Sequence, residues 1–205
     1  MNKLRTFFER VLTLGYIAGG SENNQQEKTI ESLLVEYGFV RSCVESVPKE
    51  IKFNTIQGLK NNEYISQPCG TQDSPDFIVR SNEKNYYIEC KSSKGYKPTY
   101  NSGLPKREYI YIFSSKPYDQ TTIFRGCDIL SENKRSLYEK LLKDYDKLLS
   151  TYQDKTEWKR DSRGFDFYMR AMYIQSGGKK SGNDYFIHPE RDWCESRVLE
   201  MFEND

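Results

Sequence analysis

Three ionisable side chains lie close together in the segment PDFIVRSNEKNYYIECK, which covers residues 75–91. Asp76 opens one apolar run, and Glu89 and Lys91 close the next one. Alternate residues of a strand point to the same side, so Glu89 and Lys91 share one side while Cys90 points to the other. A strand pair that only buried a core would have no use for this arrangement of acid and base.

The residues between the two runs, SNEK at 81–84, are typical of a hairpin turn. Such a hairpin brings Asp76 beside the far end of the second strand. Two carboxylates can hold Mg²⁺ and leave positions for water and a phosphate oxygen. The metal would acidify the water and neutralise charge on phosphorus, and Lys91 would orient the water. The alternative is a hairpin with an incidental surface ion pair.

This pattern, Pro-Asp followed after twelve residues by Glu-x-Lys at the edges of two apolar strands, resembles the PD-(D/E)xK nuclease superfamily. Its best-known members are type II restriction endonucleases. The run QPCGTQDSPDF at 67–77 is similar to one that precedes the catalytic strands in several restriction enzymes. The runs ECKSSKG at 89–95 and YIYIFSS at 109–115 are also similar to segments of those enzymes. The resemblance therefore covers about 67–115.

The resemblance implies that Asp76 and Glu89 bind Mg²⁺, with Mn²⁺ as a substitute, and that Lys91 assists the attacking water. It implies a restriction-endonuclease-like α/β (α+β) fold, with a central mixed sheet flanked by helices. The implied partner is double-stranded DNA, cut by a homodimer because two-fold symmetry suits a symmetric site. In a restriction–modification pair, a companion DNA methyltransferase acts on the same site but need not bind the nuclease.

Many members of the family place a further acid on an early helix. In NNQQEKTIESLL, Glu27 lies three residues before Ile30, so both can face the sheet, whereas Glu31 points elsewhere. We expect Glu27 to be a third metal ligand. An acid that only interacts favourably with the dipole at a helix N-terminus is an equal alternative.

Basic and amide side chains near the predicted site are candidates for DNA contact, because Lys pairs with phosphates while Asn and Arg can bind base edges. One group flanks the motif: Gln67, Gln72, Lys94, Lys97, Tyr100, Asn101, Lys106 and Arg107. A second group comes later in the chain: Arg160, Arg163, Arg170, Lys179, Lys180 and Asn183. Solvated loops that only position the strands are the alternative for both groups.

The remaining patterns predict the elements around these residues. Apolar spacing predicts helices over the first dozen residues, about 24–37, about 132–152 and near 192–202. Strands are predicted within 39–47 and at 76–80, 85–91 and 109–115, with a loop over 58–75. The segment RGFDFYMRAMYIQ, 163–175, fits a strand or a helix. These elements predict one domain over 1–205, with 155–190 as a DNA-contacting subdomain or loop region.

Composition narrows the class of protein. Net charge is +1 and mean hydropathy is −0.84, but the charge is unevenly distributed: residues 91–125 hold seven Lys or Arg against two acids. Five cysteines without a CxxC pair argue against disulfides and zinc. No segment predicts a signal peptide or a membrane span, so we expect a cytoplasmic protein without membrane association, and the resemblance to restriction enzymes implies a prokaryotic host.

Other reaction classes lack their motifs. There is no GxxxxGK[ST], GxSxG, HExxH or GxGxxG after a strand, and His188 is the only histidine. Within the nuclease class, a structure-dependent repair or recombination enzyme is the alternative to a restriction enzyme. Outside it, the alternative is a module of the same fold that binds DNA without cutting it.

Overall fold

A computed structural model describes residues 2–19, 24–44, 56, 58–70, 73–101, 103–160, 163–164, 167, 172–174 and 185–203. Its helices are α1 (Lys3–Leu12), α2 (Gln25–Glu36), α3 (Glu132–Gln153), α4 (Thr156–Lys159) and α5 (Arg191–Glu200). Its strands are β1 (Val40–Arg41), β2 (Glu63–Ser66), β3 (Phe77–Ser81), β4 (Lys84–Ser93), β5 (Thr99–Tyr100), β6 (Tyr109–Ser115), β7 (Gln120–Arg125) and β8 (Tyr173–Ile174).

Six strands form an open mixed sheet in the order β1-β2-β3-β4-β6-β7. The pairs β1/β2 and β4/β6 are parallel, and the other three pairs are antiparallel. Strands β5 and β8 form a separate two-stranded sheet. The predicted class, a mixed sheet flanked by helices, is therefore confirmed at this level. None of the described helices combines the length and the apolar composition needed to cross a membrane.

The sheet separates two apolar clusters because alternate residues of its strands face opposite sides. One cluster packs α1, α2 and the end of α5 against residues such as Phe77, Ile88 and Ile112. The other is rich in aromatic side chains of β4, β6 and β7, including Tyr87, Tyr111 and Phe124. This second side carries the residues of the candidate site.

The predicted helix and hairpin boundaries are close to those observed. Asn2 caps α1, accepting a hydrogen bond of 2.9 Å from the Leu4 backbone N–H. Helix α2 ends before Gly38, whose φ of +79° suits glycine. The β3–β4 turn is made by Asn82 and Glu83, both with positive φ, as in tight two-residue hairpins.

Two strand predictions need correction. The predicted loop over 58–75 contains β2, whose Tyr64 and Ile65 are buried and pair with β3. This strand is only four residues long and polar at both ends, so its periodicity is weak. Of the predicted strand within 39–47, only β1 is a strand among the described residues. The sequence analysis does not predict strand β7, although this strand is largely buried beside β6.

Candidate active site

The β3–β4 hairpin brings the three motif side chains together. Phe77 pairs with Ile88, so Asp76, one residue before β3, lies beside Glu89. The Cys90 backbone N–H donates to Asp76 Oδ2 at 2.6 Å, and Lys91 Nζ donates to Glu89 Oε1 at 2.7 Å. Cys90 itself packs against the cluster on the other face. The alternation predicted from the sequence is confirmed.

Burial makes this pair of carboxylates hard to ionise. Glu89 is only 7% exposed, and burial raises its pKa, while the Lys91 ammonium lowers it. Burial also raises the pKa of Asp76 well above its usual range, and the charges of Glu89 and Glu27 add to this effect. The site therefore favours a cation that offsets two buried negative charges.

One oxygen of Glu89 is available for such a cation. Oε1 accepts from Lys91, but Oε2 is buried and has no hydrogen-bond partner among the described residues. Nowhere in the described ranges do three His, Cys, Asp or Glu side chains form a set that could hold a metal. Mg²⁺ sites commonly use one or two carboxylates and complete their shell with waters and phosphate oxygens. The pair Asp76 and Glu89 fits that requirement.

Glu27, the expected third ligand, does not form a metal-holding set with Asp76 and Glu89, but α2 brings it near enough for its charge to raise the pKa of both. Gln67 Nε2 donates to Glu27 Oε2 at 2.7 Å, and the Gln67 backbone N–H donates to the Asp76 carbonyl at 2.7 Å. Gln67 thus connects the helix acid to the first motif residue. Glu31 points elsewhere, as predicted, accepting from the Tyr64 hydroxyl at 3.1 Å and pairing with Arg41.

Gln26 holds α2 in position against the sheet. The sequence analysis did not identify it as a site residue. It is 2% exposed, and its Nε2 donates to the Lys91 carbonyl at 2.9 Å and the Ile112 carbonyl at 3.3 Å. A signal was present, because Gln26 shares the helical spacing of the apolar residues Ile30 and Leu33. A buried amide at such a position must find hydrogen-bond partners, and here these partners lie on the motif strand.

Some of the predicted DNA contacts line a cleft beside the motif. Its lining includes Glu89 and Lys91 together with Tyr100, Asn101 and Lys106. Asn101 and Lys106 are exposed at its rim, whereas Tyr100 is buried with its ring edge-on to Tyr111 at 5.5 Å. The cleft therefore offers one amide and one ammonium close to the carboxylates.

The other predicted contacts are scattered. Arg107 pairs with Glu132 and Glu139 of α3, so its guanidinium is held by neighbouring acids. Lys94, Arg160 and Arg163 are exposed, and Lys97 is half-buried. The remaining five lie outside the described residues: Gln72, Arg170, Lys179, Lys180 and Asn183.

No protein-family model matches the chain, and no curated protein or solved structure matches it significantly.

The burial of Asp76 leads to a prediction about folding stability that can be tested without a cleavage assay. A carboxyl whose pKa is higher in the folded state than in the unfolded state costs stability as pH rises through that interval. In EDTA at pH 8, we therefore expect Asp76→Asn to raise the melting temperature by about 2–4 °C, equivalent to about 1 kcal/mol. Asparagine can still accept from the Cys90 N–H, and thermal unfolding followed by circular dichroism measures the shift.

The matched control is Asp146→Asn, because Asp146 is exposed on α3. It should leave the melting temperature unchanged, and Mg²⁺ should stabilise wild type more than Asp76→Asn. Equal melting temperatures for wild type and Asp76→Asn at pH 8 would show that the buried charge carries no cost.

Proposed function

We propose that this chain is a Mg²⁺-dependent, sequence-specific endonuclease of the type II restriction kind, which hydrolyses phosphodiester bonds in double-stranded DNA. The observation that carries the proposal is the convergence of Asp76, Glu89 and Lys91, with one buried Glu89 oxygen left without a hydrogen-bond partner. The resemblance over 67–115 supports DNA as the substrate and base-specific recognition.

Each side chain has a distinct part in this proposal. Asp76 and Glu89 would hold Mg²⁺, which when bound supplies Lewis-acid chemistry to a phosphate oxygen and to water. Lys91 would orient the attacking water and offset the negative charge that develops on the phosphoryl oxygens. Its 2.7 Å contact with Glu89 keeps the ammonium beside the metal-binding oxygens. Lys106 and Asn101, at the cleft rim, would contact the DNA backbone or bases.

The test is a digest of unmethylated plasmid with purified protein, in Mg²⁺ and in excess EDTA, resolved on a gel. Discrete fragments that require Mg²⁺ support the proposal, and the sequence of their ends gives the recognition site. Cleavage only at branched or damaged DNA would favour a repair nuclease. A gel shift without scission, on several DNAs, would favour a module that binds without cutting.

Gln67 gives a more specific prediction, because it was expected to contact DNA but bonds to Glu27. If its role is to position the Glu27 carboxylate, whose charge acts on Asp76 and Glu89, Gln67→Ala should raise the Mg²⁺ concentration for half-maximal cleavage about tenfold, as for other residues that support the metal ligands from outside. The DNA dissociation constant in Ca²⁺ should stay the same. Metal titrations of cleavage and gel shifts in Ca²⁺ separate the two effects.

Gln153→Ala is the control, since Gln153 lies at the far end of α3. If Gln67→Ala instead weakened DNA binding and left the Mg²⁺ dependence unchanged, Gln67 would be a DNA contact, as first predicted.

A further inference from the structure

Two connections at the carboxyl ends of the parallel strands β4 and β6 bring two tyrosines together. Both connections contain Lys-x-Tyr: KGYKP covers residues 94–98 after β4, and KPYD covers residues 116–119 after β6. The rings of Tyr96 and Tyr118 meet edge-on, with their centroids 5.7 Å apart. The tyrosine patch is the surface formed by these two rings and the two lysines that precede them: Lys94, Tyr96, Lys116 and Tyr118.

Hydrogen bonds between the two connections hold the patch together. The Lys116 backbone N–H donates to the Ser93 carbonyl at 3.0 Å, and Ser115 Oγ donates to the Gly95 carbonyl at 2.9 Å. The Gly95 backbone N–H in turn donates to Ser93 Oγ at 2.9 Å. The patch is therefore one surface, although its residues come from two separate segments.

A row of aromatic rings supports Tyr96 from the core outwards. Phe113 is fully buried, and its ring contacts that of Phe186 at 5.6 Å. Phe186 stacks on Tyr118 at 5.1 Å, and Tyr118 contacts Tyr96, which is 50% exposed. Packing on one side restrains the Tyr96 side chain, while half of the residue remains accessible to a ligand.

The charge around the rings is positive. The two connections hold three lysines against one acid, Asp119, which accepts from the Tyr16 backbone N–H at 2.8 Å. Lys94 and Lys116 are exposed, and neither forms an ion pair with a residue in the described ranges. Single exposed tyrosines are common on protein surfaces. A restrained, exposed ring between two ammonium groups is instead typical of surfaces that bind single-stranded nucleic acid, where rings stack on bases and cations pair with phosphates.

The tyrosine patch lies next to the candidate active site. Tyr96 follows Lys91 by five residues, so the two are at most about 17 Å apart. The chain then returns to the site, because Tyr100 lines the cleft together with Glu89 and Lys91. A DNA strand rises about 3.4 Å per nucleotide, so the patch lies within about five nucleotides of a phosphate at Lys91.

We propose that the tyrosine patch binds an unpaired base of the DNA strand that passes through the active site. The base stacks on Tyr96, and the neighbouring phosphates pair with Lys94 and Lys116. Bases inside an intact duplex cover one another's faces, so only an everted base, a frayed end or a single-stranded stretch can stack on the ring. The proposal rests on the proposed function for DNA as the ligand, and it adds that base pairing is lost close to the cut.

Fluorescence anisotropy in EDTA, where no strand is cut, tests the proposal with two labelled probes. One is an oligothymidylate of about 12 nucleotides, and the other is an abasic strand of the same length. Both probes carry the same phosphates, so the difference between their affinities reports contact with a base. Wild type should bind the oligothymidylate about tenfold more tightly, as expected for one stacked base. Tyr96→Ala should remove this difference, and Tyr96→Phe, which keeps the ring, should retain it.

Tyr152→Ala is the matched control, because Tyr152 is 48% exposed and also lies beside a lysine, with Lys155 Nζ 4.5 Å from its ring centroid. This variant should keep the wild-type preference for oligothymidylate. Lys94→Ala combined with Lys116→Ala should weaken the binding of both probes equally and lower its salt dependence, because lysines pair with phosphates. Circular dichroism checks that each variant is folded, which is expected because the changed side chains are exposed.

Equal affinity of wild type for the two probes would overturn the proposal, as would a preference that Tyr96→Ala retains. The plasmid digest tests the proposed function separately. A protein that cuts duplex DNA but binds both probes equally would overturn the tyrosine patch alone. A protein that binds oligothymidylate through Tyr96 but cuts no DNA would support the patch and overturn the nuclease proposal.

Discussion

Replacement of Glu89 by alanine is expected to abolish Mg²⁺-dependent DNA cleavage, with a loss of about 10³-fold or more. Glu89 offers the buried oxygen that lacks a hydrogen-bond partner, and no other described carboxylate on β4 can replace it. Loss of a metal worth several kcal/mol of transition-state stabilisation corresponds to several factors of ten in rate. Single-turnover cleavage of a labelled duplex measures the rate, and a gel shift without metal should still detect binding.

Two further variants sharpen this test. Glu89→Gln keeps the shape and the contact with Lys91, so its failure to cut would assign the loss to the charge and not to packing. Glu83→Gln is the control, because Glu83 is an exposed acid at the opposite end of the same hairpin. Cleavage by Glu89→Ala within tenfold of wild type would remove Glu89 from the metal site.

The second large effect is expected for Lys91→Ala, which should slow cleavage about 10²- to 10³-fold, the usual cost of losing one preorganised donor to the transition state. DNA binding should change little, because the Lys91 side chain is only 22% exposed and its ammonium is held by Glu89. Lys84→Ala, at the exposed start of the same strand, is the control. If Lys91→Ala cuts at the wild-type rate, the proposed role for this lysine is wrong.

Lys91→Ala should also shift the pH dependence in a defined direction. Lys91 lowers the pKa of Glu89 against the effect of burial, so its removal raises that pKa further. The carboxylate binds metal only when it is deprotonated, so the residual activity of the variant should appear at higher pH than that of wild type. Higher Mg²⁺ concentration should move both profiles to lower pH. A profile of rate against pH at two metal concentrations measures both shifts.

The relation of Glu89 to Lys91 was determined by the sequence itself. Alternation along a strand is a local property of the backbone, so an Asp before one apolar run and Glu-x-Lys after the next specify their relative sides. The hairpin turn is equally local, and helices α1 and α2 follow from apolar spacing, a capping residue and a glycine. These predictions held because each depends on residues only a few positions apart.

Contacts between distant segments were decided by the tertiary structure. Gln67 was predicted to face DNA, but its partner Glu27 lies 40 positions away, and Gln26 bonds to a carbonyl 65 positions away. Arg107 has a side chain suited to DNA contact, yet it pairs with the acids of α3. Hydrogen-bonding side chains take whichever partner the packed elements place beside them.

The same reason applies to β2 and to α3. A four-residue strand is stabilised mainly by the β3 strand beside it, so its own residues carry little signal. The apolar residues of α3 are sufficient for an amphipathic helix. They do not specify which of them pack against the rest of the chain and which remain exposed to solvent. That choice depends on where Arg135 and Tyr138 find their partners, Gly126 and Tyr173, and these lie on other elements of the fold.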